Sequence, residues 1–203
     1  MTKSHLVLLA VLVPSLGASG AVITVGDLLV SNNLLGGASD ASYSEPGAFG
    51  GSDTLQPDSW GGDRRWANGG AATQASWAFS GLDNGVYDVY ASWRNAPQAN
   101  VSLAQYMGTD GFTSITLDQR VGAAALPGVV INDGANDINF ASVGQVTVGD
   151  GSFTLSVDDS VTGSAAGSFI FADAVAVRSA IPEPAALSLL GLGLLPLLRR
   201  LRK

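Results

Sequence analysis

Trp60 and Trp66 flank the run Gly61-Gly62-Asp63-Arg64-Arg65, where the chain gathers groups able to hold a ligand. An exposed indole face stacks on the C–H surface of a sugar, while nearby carboxylate and guanidinium groups bond its hydroxyls. Trp60, Asp63, Arg64, Arg65 and Trp66 are therefore candidate carbohydrate contacts. The competing reading is that one or both tryptophans plug the open end of a sandwich. Catalysis has fewer resources. The chain has no cysteine, and its one histidine, His5, lies in the N-terminal apolar segment. Thiol nucleophiles, Ser-His-Asp triads and Cys or His metal sites are thereby excluded from the body of the protein. Carboxylates, Tyr and Arg remain, and no recognisable motif pairs two of the carboxylates. No catalytic residue is assigned.

Asp173 interrupts the apolar run SFIFADAVAV. On a strand it shares a face with Phe169, Phe171, Val175 and Val177, and a buried carboxylate must be paired or hydrogen-bonded. Arg94, Arg120 or backbone amides are the expected partners, with a metal as the alternative. Asp158 and Asp159 could join a calcium site with backbone carbonyls. Asp is equally a turn residue, and no Asp-x-Asp-x-Asp loop occurs. No cofactor is assigned, and structural Ca²⁺ has no motif to support it.

The elements that must position these groups read as short strands. Ala75, Trp77 and Phe79 alternate with polar or small residues, as do Tyr87, Val89, Ala91 and Trp93. Between them Asp83-Asn84-Gly85 predicts a hairpin turn. Trp77 and Trp93 are packing residues on this pattern, and Tyr90 faces the other way. Ile115 with Leu117, Ile138 with Phe140, Val146 with Val148, and Phe153 with Leu155 and Val157 predict further strands. SFIFADAVAV, apolar on both faces, predicts a central one. Ala21 to Val30 could form one strand before a loop-rich stretch, and Trp60 and Trp66 fall in a Gly-rich loop. The pattern predicts an all-β fold, an antiparallel β-sandwich.

Three stretches carry a family resemblance: ASWAFSGLDNGVYDVYASWRNAPQAN, GFTSITLDQR and GSFIFADAVAVR. Trp77, then Gly85-Val86-Tyr87-Asp88-Val89 with Trp93, then Ile115 to Gln119, then Ala172-Asp173-Ala174-Val175 resemble the golvesin/xanthan-lyase C-terminal-like domain over residues 52–178. The resemblance implies a jelly-roll-like accessory domain, often attached to polysaccharide-active enzymes. It implies neither catalysis nor a transferable set of binding residues.

Residues 21–181 hold five arginines, no lysine and sixteen acidic residues, a formal charge of −11. Such a surface repels nucleic acid and anionic membranes. It suits neutral polymers or divalent cations, or simply solubility.

Both termini read as processing signals. Lys3, the apolar run Leu6 to Leu16 and Ala18-Ser19-Gly20 form a secretory signal peptide over residues 1–20, with signal peptidase as its expected partner. Residues 21–51 are the loop-rich segment. In residues 179–203, Pro182-Glu183-Pro184 precedes an apolar stretch and the basic cluster Arg199, Arg200, Arg202 and Lys203. Residues 185–198 make a helix of about 21 Å, short of a bilayer core of about 30 Å. They suit transient membrane association, with the basic cluster holding the C-terminus on the cytoplasmic side. An ordinary C-terminal anchor or a docked apolar helix is the alternative. Tripeptide, apolar stretch and basic cluster, in that order, resemble the PEP-CTERM sorting signal of exported bacterial proteins. That resemblance implies processing by an exosortase-type transpeptidase or protease at Pro182 to Pro184. The implied localisation is an inner-membrane precursor delivered to the cell surface or extracellular matrix.

Three functions compete. The first is a non-catalytic exported protein that binds or organises extracellular polysaccharide. The others are a structural surface protein without a ligand and a carboxylate-based polysaccharide hydrolase or lyase.

Overall fold

The alternating segments become facing sheets. The computed structural model describes residues 27–31, 42–45, 49, 51–53, 57–62, 64–69, 74–95, 103–159 and 168–180. In chain order the strands are β1 (Asp27–Ser31), β2 (Tyr43–Ser44), β3 (Gly51–Asp53), β4 (Arg64–Asn68), β5 (Gln74–Ser80), β6 (Gly85–Ala91), β7 (Ala104–Gly108), β8 (Ile115–Leu117), β9 (Gly128–Asn132), β10 (Asp137–Val148), β11 (Ser152–Asp158), β12 (Phe169–Ala172) and β13 (Ala174–Ser179). Short 3-10 turns occupy Trp60–Gly62 and Ala123–Ala125. One sheet has the order β1-β13-β6-β10-β9 and a second the order β2-β5-β11-β7-β8. A small third sheet runs β12-β4-β3. All described pairings are antiparallel, giving an all-β sandwich.

The period-2 pattern explains the core. Ala75, Trp77 and Phe79 of β5 pair with Val157, Leu155 and Phe153 of β11. They meet Tyr87, Val89, Ala91 and Trp93 from the first sheet in one buried cluster. β13 is apolar on both faces because both are covered. Val175 and Val177 enter the main core, while Ala174 and Ala176 join a second cluster with Trp60, Ile131, Ile138 and Phe140. Tyr90 packs against that second cluster.

Four sequence expectations change. Asp83-Asn84-Gly85 is not a hairpin turn, since β5 and β6 lie in different sheets. The segment reverses the chain as an arch, because both strands bury their apolar faces against each other. Ile138-Phe140 and Val146-Val148 belong to one twelve-residue strand. Its register shifts between Ser142 and Gly144, and Gly144 takes φ 134°, open to glycine, with the Phe112 ring 3.4 Å from where a Cβ would lie. SFIFADAVAV breaks at Asp173, where the chain leaves the three-stranded sheet for the five-stranded one. Trp66 is on strand β4, and Trp60 on a 3-10 turn. The signal peptide, Pro182-Glu183-Pro184 and the basic tail lie outside the described residues, as does Asp63.

Candidate functional site

The Gly-rich stretch folds back on the sheet. Gly61 and Gly62 adopt φ 63° and 75°, a left-handed region costly for other residues. This turns Trp60 onto the outer face of the first sheet, edge-on to Phe140 with ring centroids 6.1 Å apart. Two carboxylates catch successive backbone N–H groups of the turn. Trp60 N–H donates to both Asp173 oxygens (3.2 and 3.1 Å) and Gly61 N–H to Asp133 Oδ2 (3.1 Å).

The proposed sugar contacts are therefore dispersed. Trp60 is 6% exposed and plugs the second cluster, so its faces are not presented to solvent. Arg64 is fully buried, 3.7 Å from Asp58 and with its guanidinium carbon 5.4 Å from the Phe171 ring centroid. Alternation along β4 turns Arg65 away from Arg64. Arg65 forms an ion pair with Glu45 and donates to the Phe49 carbonyl (2.6 Å). Trp66 is half-buried in a T-shaped contact with Phe169, centroids 4.7 Å apart.

Asp173 has no exposure. Besides the Trp60 amide, its carboxylate accepts the Ser92 hydroxyl at 2.8 Å. A backbone amide, one of the expected partners beside Arg94 and Arg120, thus holds it, and Arg120 pairs with Asp118. Burial pushes the Asp173 carboxyl up to about 7, against the lowering effect of the Ser92 and Trp60 hydrogen bonds. Asp58 pushes it further up and Arg64 draws it down. Gln119, the last residue of the family-like strand motif, is also buried. Its amide pairs with the Phe171 peptide, donating to the carbonyl (3.0 Å) and accepting from the N–H (3.0 Å).

An open cleft of about 220 Å³ lies at this end of the sandwich, lined by Asp58, Trp93, Asn95, Ala123, Ala124 and Asn139. Asn139 projects from the side of β10 that carries Ala141 into the main core, but past the core's edge, where it is exposed. Trp93 donates its indole N–H to the Val121 carbonyl (3.0 Å), holding the segment that leads into the Ala123–Ala125 turn. Asn95 N–H donates to Asp58 Oδ2 at 3.1 Å, joining two walls. Trp60 and Ser92, the partners of Asp173, sit two residues after Asp58 and one before Trp93. One buried carboxylate thus fastens both walls from behind.

The cleft's described lining offers hydrogen-bond donors and acceptors to a polar ligand. Asn side chains donate and accept, and the Asp58 carboxylate accepts. Among the described residues, no three His, Cys, Asp or Glu side chains group as a metal site. Asp58, Asn95 and Asn139 carry no local sequence signal; Asn139 falls at the ordinary polar position beside Ile138 and Phe140, and only the fold shows that its parity is that of the main core.

No family model matches the chain, and no curated protein matches it. Solved structures do. Paenibacillus xanthan lyase, determined to 2.6 Å, matches with TM-score 0.54 and 18% identity, over 77% of this chain and 13% of that chain. The Podospora anserina GH26-CBM35 β-(1,4)-mannanase matches with TM-score 0.47 and 13% identity, over 78% and 29% of the two chains. The CBM35 from Cellvibrio japonicus Abf62 matches with TM-score 0.42 and 11% identity, over 76% and 94%. The structural neighbours thus include carbohydrate-binding modules. The xanthan-lyase likeness agrees in fold with the resemblance read from the sequence.

Proposed function

We propose that the protein is an exported, non-catalytic domain that binds extracellular polysaccharide through the cleft between Asp58, Asn95 and Asn139. The observation carrying this reading is the cleft's lining, in which amide and carboxylate groups meet the hydrogen-bonding needs of sugar hydroxyls. Among the described residues, Asp58 is the one acid that lines it, whereas glycoside hydrolysis ordinarily employs two carboxyl groups flanking the bond. The fold likeness to part of a xanthan lyase supports a setting in which such domains accompany polysaccharides.

Export rests on the N-terminal signal. Delivery to the surface rests on Pro182-Glu183-Pro184, the apolar stretch and the basic cluster. Affinity electrophoresis against a panel of bacterial and plant polysaccharides tests the binding reading. Retardation by at least one polysaccharide, weakened in Asn139→Ala, is expected; no retardation by any would overturn it. Mass spectrometry of the exported form tests the sorting reading. Cleavage near Pro182 to Pro184 is expected, and an intact Arg199 to Lys203 end contradicts it.

A further inference from the structure

Gly122 stands at the head of the Ala123–Ala125 turn, in the segment that forms one wall of the cleft. Its backbone does not call for glycine. At φ −60° and ψ 145° it is extended, a conformation open to any residue. What glycine leaves there is space. A Cβ at this position would lie 2.8 Å from Asn95 Cγ, 2.9 Å from Oδ1 and 3.1 Å from Nδ2. The Asn95 carboxamide therefore rests directly against Gly122, closer than any side chain at residue 122 would permit.

Two hydrogen bonds bring Asn95 to that spot. Its N–H donates to Asp58 Oδ2 on the facing wall (3.1 Å), and the Trp93 indole holds the Val121 carbonyl beside Gly122 (3.0 Å). The carboxamide itself is exposed and lines the cleft. Among the described residues no group hydrogen-bonds it. The amides of Gln119, Gln145 and Asn132, by contrast, are each engaged by the protein. Contact with Gly122 thus seats the Asn95 amide while its donors and acceptor stay open to the cleft.

Resting on the polysaccharide-binding reading, we infer that Gly122 is a positioning residue of the cleft. By lacking a side chain it seats the Asn95 carboxamide against the wall, where the amide bonds a sugar hydroxyl. Seating the side chain in advance removes part of the ordering cost that binding would otherwise meet. An alanine at 122 displaces the amide from its seat without straining the backbone.

The test uses the exported protein as wild type, Gly122→Ala, Asn95→Ala and the double variant. Affinity electrophoresis in galactomannan, xylan, dextran and xanthan gels gives their dissociation constants, beside thermal melts and NMR of the side-chain amides. Gly122→Ala should keep or raise Tm, since alanine fits this backbone and has fewer unfolded conformations. Its Asn95 amide resonances should shift. Its dissociation constant should rise about two- to twelve-fold, the loss of one hydrogen bond. Asn95→Ala should weaken binding by a similar factor, and the double variant no further. Unmoved Asn95 resonances or wild-type affinity in Gly122→Ala overturns this inference and leaves polysaccharide binding intact. A further loss in the double variant does the same, and so does wild-type affinity in Asn95→Ala, whatever Gly122→Ala does to the fold. Retardation by none of the four polysaccharides overturns both.

Discussion

The two ends of the sandwich are built from the same strands to opposite purposes. At the arch end, Phe153 stacks on Phe79 and meets Phe112, with ring centroids 6.2 and 5.9 Å apart. Leu82 N–H donates to the Gly151 carbonyl (3.0 Å), tying the two chain reversals together. Gly108 sits so close that an added Cβ would lie 2.8 Å from Phe112 and Phe153. At the other end Trp93 is the last core aromatic, and Asp58, Asn95 and Asn139 follow where another apolar layer would have closed the gap. Apolar contact seals the first end. The second is held by directed polar contacts made behind the cleft by Asp173, Asp133 and Gln119.

The largest expected effect is at the closed end. Phe153→Ala should cost about 3–5 kcal/mol of stability, read as a fall in the urea midpoint. The surviving folded fraction should keep its ligand affinity. A comparable loss of affinity would mean that the ends are not independent.

Asp173→Asn addresses the polar fastening. The native carboxyl is raised to about 7 from 3.8, so the native state holds its proton more tightly than the unfolded chain does. Its contribution to stability is fullest below pH 3.8, declines as pH rises toward about 7, and is level above that. The Asn variant should lose this decline, which is on the order of 4 kcal/mol over the whole range. Chemical denaturation at pH 4.5 and 8 measures it, and parallel wild-type and variant profiles would show that Asp173 does not titrate in this range. The exposed Asp118 and Asp150 are shifted the opposite way and leave the difference between the two proteins unaffected.

Gln119→Ala strips both partners from the buried Phe171 peptide, a loss of about 1–3 kcal/mol. It should also weaken ligand binding, because residues 119–126 carry one wall of the cleft. A thermal melt paired with titration calorimetry separates the two effects. Asn139→Ala is the smallest change. Its side chain is exposed, so stability should move by no more than about 0.5 kcal/mol. Affinity should drop by about 0.5–1.5 kcal/mol through the lost hydrogen bond.

This division also explains what the sequence reveals. β5, β6 and β11 are legible because Trp77, Val89 and Leu155 each sit in a strict alternation that burial alone imposes. The arch at Asp83 to Gly85 is not, since a turn motif specifies reversal and not which sheet the next strand joins. Trp60 and Arg64 combine the residue types of a sugar site with positions that the Gly61-Gly62 turn and β4 direct inward. The cleft joins Asp58, Asn95, Ala124 and Asn139 from four separate segments, and no local periodicity links them. Asp173 shows as anomalous in its apolar run, but its partners at residues 60 and 92 are set by the tertiary fold.

The place of β13 has a consequence for the order of assembly. The last described strand lies between β1 and β6, inside its sheet rather than at an edge. Asp27 pairs with Arg178 and Ser179 with Tyr87, so the first and last described strands must meet before that sheet can close. Such non-local pairing places folding in the slow range of small β domains, milliseconds to seconds. A chain ending before Ala174 lacks the strand that joins β1 to β6, and trimming from the C-terminal side opens the sheet through its middle.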